Sequence, residues 1–478
     1  MEKSRRRAAS NRGIEENTLA ILESFCEHDS SHVHDDRLAF LDAVRFASIV
    51  PENGPPPTNK MMEAIFEIMR EAKSLELIVV CYQLLCELEK HFPRVYLSNG
   101  EDKQVPSSKT AELVVFEKAW LPFAVGSDVA SNDKHVAKKG SKEPVDAVGF
   151  HLLLQNLCEL ANETESSEPK LEVLAKMVLF QYLVYIFEAD FLPRNHNFLE
   201  NSDWISLRDS LVNKLMGSRR INYKDLTKDS LFVLCNLSVA HTPTECDVET
   251  TEISIPDVID NDSDLAFALA LSFPETVKCT LKAVQKLLEV MMELDLSRKK
   301  ADTQGLTTRA DGARTPVVEL IMDELSYDKD LISPFLQAFD NPRLKLEIIV
   351  QYIQKYNVKP YTRKRKSADS QGEAAVTGFF KCFLNSTTIK GIVKKVGAEA
   401  VQVLLAQVLQ ACMSIPKEKL LEEISDLKDD GERSPLVHIC KNIISAFTKL
   451  RETDEHLQIL PIGKEALFTA ASVLSSKS

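Results

Sequence analysis

The sequence predicts an all-α fold: a degenerate HEAT/armadillo-like α-solenoid of helix pairs, interrupted by disordered acidic and basic linkers. Three observations predict it. Leu, Glu, Lys and Ala are abundant, while only 15 glycines and 9 tyrosines occur in 478 residues, a balance that favours helix over sheet. Apolar residues recur at helical spacing in segment after segment, and no run alternates like a strand meander. The segments come in pairs joined by short turns without a fixed period, so any repeats are degenerate. A stack of this kind presents a face to partners.

Composition sets the bounds. With 44% hydrophobic and 27% charged residues, the chain is long enough to bury a large core or several stacked ones. A net charge of −13 opposes non-specific wrapping of duplex DNA, which needs many phosphates neutralised. The ten cysteines are scattered, most within apolar helical runs, with no CxxC pair. In the absence of a signal peptide they read as reduced core residues of a nuclear or cytosolic protein. No apolar run reaches a membrane span, and MEKSRRRAAS has no hydrophobic segment behind it.

Along the chain, residues 1–13 are basic and read as disordered. IEENTLAILESF and DDRLAFLDAVRFASIV then form a helical pair, with Asp35 or Asp36 capping the second. PENGPPP breaks the pattern, because three consecutive prolines fix an extended segment and remove donors. Thr58 restarts a helix through Met61, Ile65, Phe66 and Met69. LELIVVCYQLLCELEKHF is apolar around so much of its circumference that it belongs between neighbours. Ser98 to Lys109 and Gly126 to Val145 lack an apolar period and read as loops. Helices at Ala147–Leu160, Leu171–Phe187, Trp204–Met216 and Leu226–Val239 complete an N-terminal helical half, residues 14–240.

Residues 241–264 carry eight acidic residues and no Lys or Arg, the composition of a solvated linker. A central region, 265–358, is organised around a helical hairpin from Leu287 to Leu325. Leu287, Leu288, Met291 and Leu294 mark its first helix; Thr315 caps the second and Pro316 suits its first position. Between the two, Ser297 to Arg314 reads as a basic partner-docking lip carrying Arg298, Lys299, Lys300, Arg309 and Arg314. LISPFLQAF and RLKLEIIVQYIQKY are further helices. A basic linker, 359–373, precedes a C-terminal helical region, 374–478, with helices at Ala400–Met413, Leu436–Leu450 and Lys464–Leu474.

A search for chemistry comes up nearly empty. No GxxxxGK[ST], HExxH, GxSxG or GxGxxG is present, so no catalytic residue and no cofactor site is assigned. CEHDSSHVHDD places His32 and His34 beside Asp35, half of a metal-binding HxHxD string. A catalytic metal of that kind needs further ligands on a β-scaffold, and the string joins two helices, so it reads as a polar linker. RKRK, from Arg363 through Lys364 and Arg365 to Lys366, lies in a linker unbalanced by acids and suits an import receptor. NDSDLAFALALSFPE resembles a ubiquitin-interacting motif. In that reading the small Ala268 admits an apolar patch of ubiquitin, Leu265 flanks it, and Ser272 hydrogen-bonds, giving weak binding by an isolated helix after an acidic tether. The alternative is a short capped helix packed on the solenoid.

Several long irregular strings are more specific than any of these. MELDLSRKKAD, GLTTRADGARTP and ELIMDEL, with VPENGPPPTNKM, FDNPRLKLEIIVQYIQKY, IISAFTKL and ILPIGKEALFTA, resemble the family of plant negative regulators of systemic acquired resistance. The resemblance spans most of the chain. It implies a non-enzymatic nuclear protein that represses pathogenesis-related genes. It also implies the non-SMC element six position in the structural-maintenance-of-chromosomes five–six complex, acting in DNA repair by homologous recombination. Implied partners are the other subunits of that complex and transcription or DNA-damage-response proteins, with chromatin association indirect. The alternative is a direct DNA-binding transcriptional repressor, against which stand the missing helix-turn-helix signature, zinc spacing and basic recognition helix. A metal enzyme centred on His32 and His34 is a third possibility.

Overall fold

The computed structural model describes residues 16–22, 30–98, 112–124, 144–162, 170–240, 261–308, 311–312, 314–356, 375–416, 435–453 and 457–476. It is an all-α, solenoid-like fold with one small ribbon. Two compact units divide it, Met1–Arg314 and Thr315–Ser478. That division falls at the end of the expected lip, whereas the sequence placed its boundaries at the acidic and basic segments. Most of the acidic segment and all of the basic linker lie outside the described residues, as do residues 1–13. Residues 261–264 are helical, the start of a helix that extends the acidic segment's C-terminal side into the first unit.

The first unit opens with α1 (16–22), α2 (Ser30–Ser48), α3 (Asn59–Glu71) and α4 (Leu75–His91). α2 starts before Asp35 and Asp36, so neither caps it. In α3 the expected apolar positions Met61, Ile65, Phe66 and Met69 are all buried, and Thr58 Oγ1 accepts from Met61 N at 3.4 Å. After α4 the chain forms an antiparallel ribbon, β1 (Val95–Ser98) with β2 (Glu112–Val115), in register Val95 to Val115. The ribbon was not expected. Its signal was two short β-branched runs flanking a polar stretch, too brief to outweigh the helical periodicity on either side.

Next come α5 (Ala147–Asn162), α6 (Leu171–Asn201), α7 (Trp204–Arg208), α8 (Leu211–Met216), α9 (Tyr223–Ala240) and α10 (Asn261–Thr303). α6 continues fourteen residues past the expected end at Phe187 and passes through Pro193. Its second half buries Asp190, Arg194, Asn195 and Asn197, which blurred the apolar period there. Each of these polar groups is answered: Asp190 Oδ1 accepts from Arg194 Nε at 3.2 Å and Oδ2 from Leu211 N at 2.8 Å. That second bond fixes the start of α8, and the single helix expected over Trp204–Met216 is split between α7 and α8.

α10 lies along α6, and a polar ladder runs down their seam. Gln181 donates to the Thr276 carbonyl and to Thr280 Oγ1 at 3.1 and 2.9 Å; Ser297 Oγ donates to Asn195 Oδ1 at 2.6 Å; Asn195 donates to Glu293 at 3.3 Å. Buried polar groups cost free energy unless paired, so this ladder selects one register between two long helices. Around it Phe150 stacks on Phe180 and meets Phe187 edge-on, with centroids 5.4 and 5.1 Å apart.

The second unit contains α11 (Val317–Tyr327), α12 (Ile332–Ala338), α13 (Pro342–Tyr356), α14 (Ala375–Lys381), α15 (Ser386–Val396), α16 (Ala398–Ser414), α17 (Pro435–Thr453) and α18 (Pro461–Ser475). α11 begins at Val317 with Pro316 at its N-cap, one position later than expected. α16 is buried nearly all round and packs on α13, α17 and α18. Its Gln402 is fully buried: Nε2 donates to the Gln458 carbonyl at 3.1 Å and Oε1 accepts from Leu460 N at 2.8 Å. No single helix among the described residues is long and apolar enough to cross a membrane.

The strings that carry the family resemblance lie at tight points of this packing. A Cβ at Gly54, in VPENGPPPTNKM, would overlap the Ser48 carbonyl at the end of α2. A Cβ at Gly463, in ILPIGKEALFTA, would stand 3.0 Å from Gln402 Oε1 and 3.1 Å from the Phe447 ring. In FDNPRLKL, Asn341 Oδ1 accepts from Leu344 N at 3.2 Å and caps α13. None of the described cysteines forms a disulfide, and burial pushes the Cys81 and Cys158 thiols up to about 12.

Candidate functional site

In the basic lip the structure turns Arg298 and Arg314 inward and leaves Lys299 and Lys300 exposed. α10 runs through Arg298, Lys299 and Lys300 to Thr303, so these three stand on a helix and not on a loop as expected. The apolar face persists past Leu294 to the fully buried Ala301, which keeps the helix going. Arg298 Nη2 donates to the carbonyl of Asp311 at 2.5 Å and to that of Gly312. Lys300 Nζ stands 5.8 Å from the centroid of the Phe198 ring, within cation–π range. Lys299 is exposed. Arg309 lies outside the described residues.

Arg314 is the most buried of the set. Its side chain is 8% exposed and that of Asp295 9%. Nε and Nη2 lie 2.9 and 2.8 Å from Asp295 Oδ1, and Nη1 donates to Asn213 Oδ1 on α8 at 3.2 Å. Here the expected docking cation is a structural clasp. The rest of the segment closes on itself. Gly305 and Gly312 have φ of 70° and 64°, left-handed values that glycine adopts without strain. Thr308 donates through N and Oγ1 to Asp311 Oδ2 at 2.6 and 3.0 Å. Burial alone would raise the Asp311 carboxyl; the hydrogen bonds from Thr308, helped by the nearby Trp204 indole and the Arg208 charge, outweigh it and hold the group below its usual range.

The ubiquitin-like segment is helical, but it is not an isolated helix. It forms the first turns of the 43-residue α10, which continues through Pro274. Leu265 is 40% exposed, Ala268 and Ser272 are half-buried, and Leu269 is buried. Phe267 and Leu271, one turn apart, are more than half exposed. Ser272 Oγ donates to the Leu269 carbonyl at 3.2 Å, which leaves its oxygen as an acceptor. An apolar helical face is therefore open beside the residues singled out.

Other candidates resolve differently. His34 lies inside α2, not in a linker, with Nε2 3.1 Å from Ser74 Oγ on the α3–α4 connection. Among the described residues no group of His, Cys, Asp and Glu side chains is arranged to hold a metal. Arg363, Lys364, Arg365 and Lys366 lie outside the described residues.

Residues 94–341 match the SNI1 middle domain and residues 357–478 the SNI1 C-terminal domain. The negative regulator of systemic acquired resistance SNI1 of Arabidopsis thaliana is 41% identical over 467 residues, covering 97% of this chain and 95% of the relative. No solved structure matches. Two domain matches and identity over almost the whole length place this chain in the SNI1 family of negative regulators of systemic acquired resistance.

Proposed function

We propose that this protein negatively regulates systemic acquired resistance as a non-enzymatic nuclear scaffold. In this reading it is a subunit of the structural-maintenance-of-chromosomes five–six complex, serving recombinational DNA repair and restraining pathogenesis-related genes. The observation that carries the regulatory part is the near full-length likeness to a relative of that name. The scaffold part is supported by buried ion pairs inside the fold, Asp190 with Arg194 and Asp295 with Arg314. Nuclear import is assigned to Arg363–Lys366, and chromatin association to the complex partners.

The experiment is expression of the chain in Arabidopsis plants lacking the relative, with pathogenesis-related transcripts measured, alongside affinity purification from nuclei and mass spectrometry. Restored repression with chromosome-maintenance subunits co-purifying supports the reading. Restored repression with transcription factors alone favours the alternative, a direct DNA-binding repressor. Failure to restore repression removes the regulatory assignment.

A second reading rests on the open face of α10. We propose that Leu265, Ala268 and Ser272 contact ubiquitin weakly, with Phe267 and Leu271 widening the apolar surface.

A further inference from the structure

A cavity in the first unit lies away from both the lip and the start of α10. It is a groove of about 1030 Å³ between the prolines that lead into α3, the end of α4 and the β-ribbon. That volume is at the upper end for ligand sites. Its walls are apolar: Pro56, Met62, Phe92, Pro93 and Trp120 line it. Tyr96 and Phe116, facing each other across the ribbon at 6.1 Å, leave 36% and 52% of their surfaces in solvent on its rim. Large exposed rings beside a groove are the usual anchors of an interface.

The groove also has a sign. Lys90, Arg94 and Lys118 line it against Glu89 and Glu117. Burial raises the Glu89 carboxyl to about 7, despite the hydrogen bond it accepts from Arg94 N, so near neutrality it carries only part of its charge. A cationic groove on a chain of net charge −13 is a local departure that selects its ligand. At the floor, Arg94 is short of acceptors. Its Nη1 is 3.6 Å from Asp190 Oδ1, but Asp190 is engaged by Arg194 and Leu211 N, and Arg94 Nε and Nη1 have no hydrogen-bond partner.

We propose that this groove is a docking site for an extended acidic peptide of a partner protein. Its apolar side chains would lie on Tyr96, Phe116 and Trp120, and its carboxylates would face Lys90 and Lys118, with the buried Arg94 charge beneath them. The proposal rests on the groove alone and is independent of the chromosome-complex reading.

The test uses the full chain and a short fluorescein-labelled peptide alternating glutamate with leucine, read by anisotropy. A peptide with lysine in place of glutamate is the control. The glutamate peptide binds, and added salt weakens it. Lys90→Glu with Lys118→Glu, both on exposed side chains, weakens it about tenfold or more and lets the lysine peptide bind. Phe116→Ser weakens the glutamate peptide without letting the lysine peptide bind. Equal binding of the two peptides by the unaltered chain, or no effect of the charge reversal, overturns the proposal. A chain lacking residues 241–260 that binds the glutamate peptide much more tightly also overturns it, because the occupant is then the chain's own acidic segment.

Discussion

Arg314 and Asp295 form a buried ion pair in which two guanidinium nitrogens reach one carboxylate oxygen at 2.9 and 2.8 Å. The pair ties the end of the segment after α10 back to α10, and Asn213 ties it to α8. Removing one partner of a buried pair strands the other charge, at a cost of about 3–5 kcal/mol. Arg314→Ala therefore lowers the thermal midpoint by on the order of 10 °C, read by circular dichroism. Lys299→Glu, on an exposed side chain, leaves it nearly unchanged. Equal midpoints for wild type and Arg314→Ala would show that the clasp is not formed in solution.

Gly54 is a close approach with no room for a methyl group, because a Cβ there would stand 2.3 Å from the Ser48 carbonyl oxygen. Overpacking of this kind costs about 1–3 kcal/mol. Gly54→Ala shifts the urea midpoint downward, whereas Gly391→Ala, where an added Cβ meets nothing within 4 Å, does not. A neutral Gly54→Ala would mean that the turn after α2 relaxes freely.

Glu89 gives a pH dependence. Burial raises its carboxyl from 4.5 to about 7, while the bond from Arg94 N and the Arg94 charge oppose the shift and Asp190 adds to it. The folded chain therefore holds this proton more tightly than the unfolded chain. Stability contributed by the protonated group is fully present below pH 4.5 and is lost as the pH rises through about 7. The loss has an upper limit of roughly 3 kcal/mol before solvent screening. Glu89→Gln flattens that part of the stability profile; an unchanged slope between pH 5 and 7 would reassign it to other groups.

Labelled ubiquitin titrated with the full chain shifts its apolar-patch resonances at millimolar concentration, and Ala268→Arg abolishes the shifts. Shifts of the same size with the variant return Leu265–Glu275 to ordinary packing. Phe267→Ser and Leu271→Ser weaken binding without changing stability by more than about 0.5 kcal/mol.

Lys364→Ala, Arg365→Ala and Lys366→Ala together remove the charge that an import receptor reads. A fluorescent fusion of this variant, with Arg5–Arg7 also replaced to exclude redundancy, moves to the cytoplasm. Complete nuclear retention would assign import to another segment or to a partner.

How far the sequence reached depends on the range of the interaction. Helix existence was legible because it follows from spacing within a few residues. Met61, Ile65, Phe66 and Met69 repeat at helical intervals and all four are buried on one face. So was the family, carried by long irregular strings, one of which holds the close approach at Gly54. Helix ends were less legible. α6 continues beyond Phe187 because Asp190, Arg194 and Asn195 find partners on α7, α8 and α10, and those partners are distant in sequence.

Charge is where sequence alone misleads most. Five cations between residues 298 and 314 read as a surface, yet Arg314 is a clasp and Arg298 holds backbone carbonyls, while Lys299 and Lys300 stay exposed. A side chain's charge is local, but whether it faces solvent or a carboxylate depends on where the chain returns. The same reason hid the cationic groove. Its basic residues come from α4, the ribbon's approach and the turn after it, each unremarkable alone, and only folding brings Lys90, Arg94 and Lys118 around one cavity.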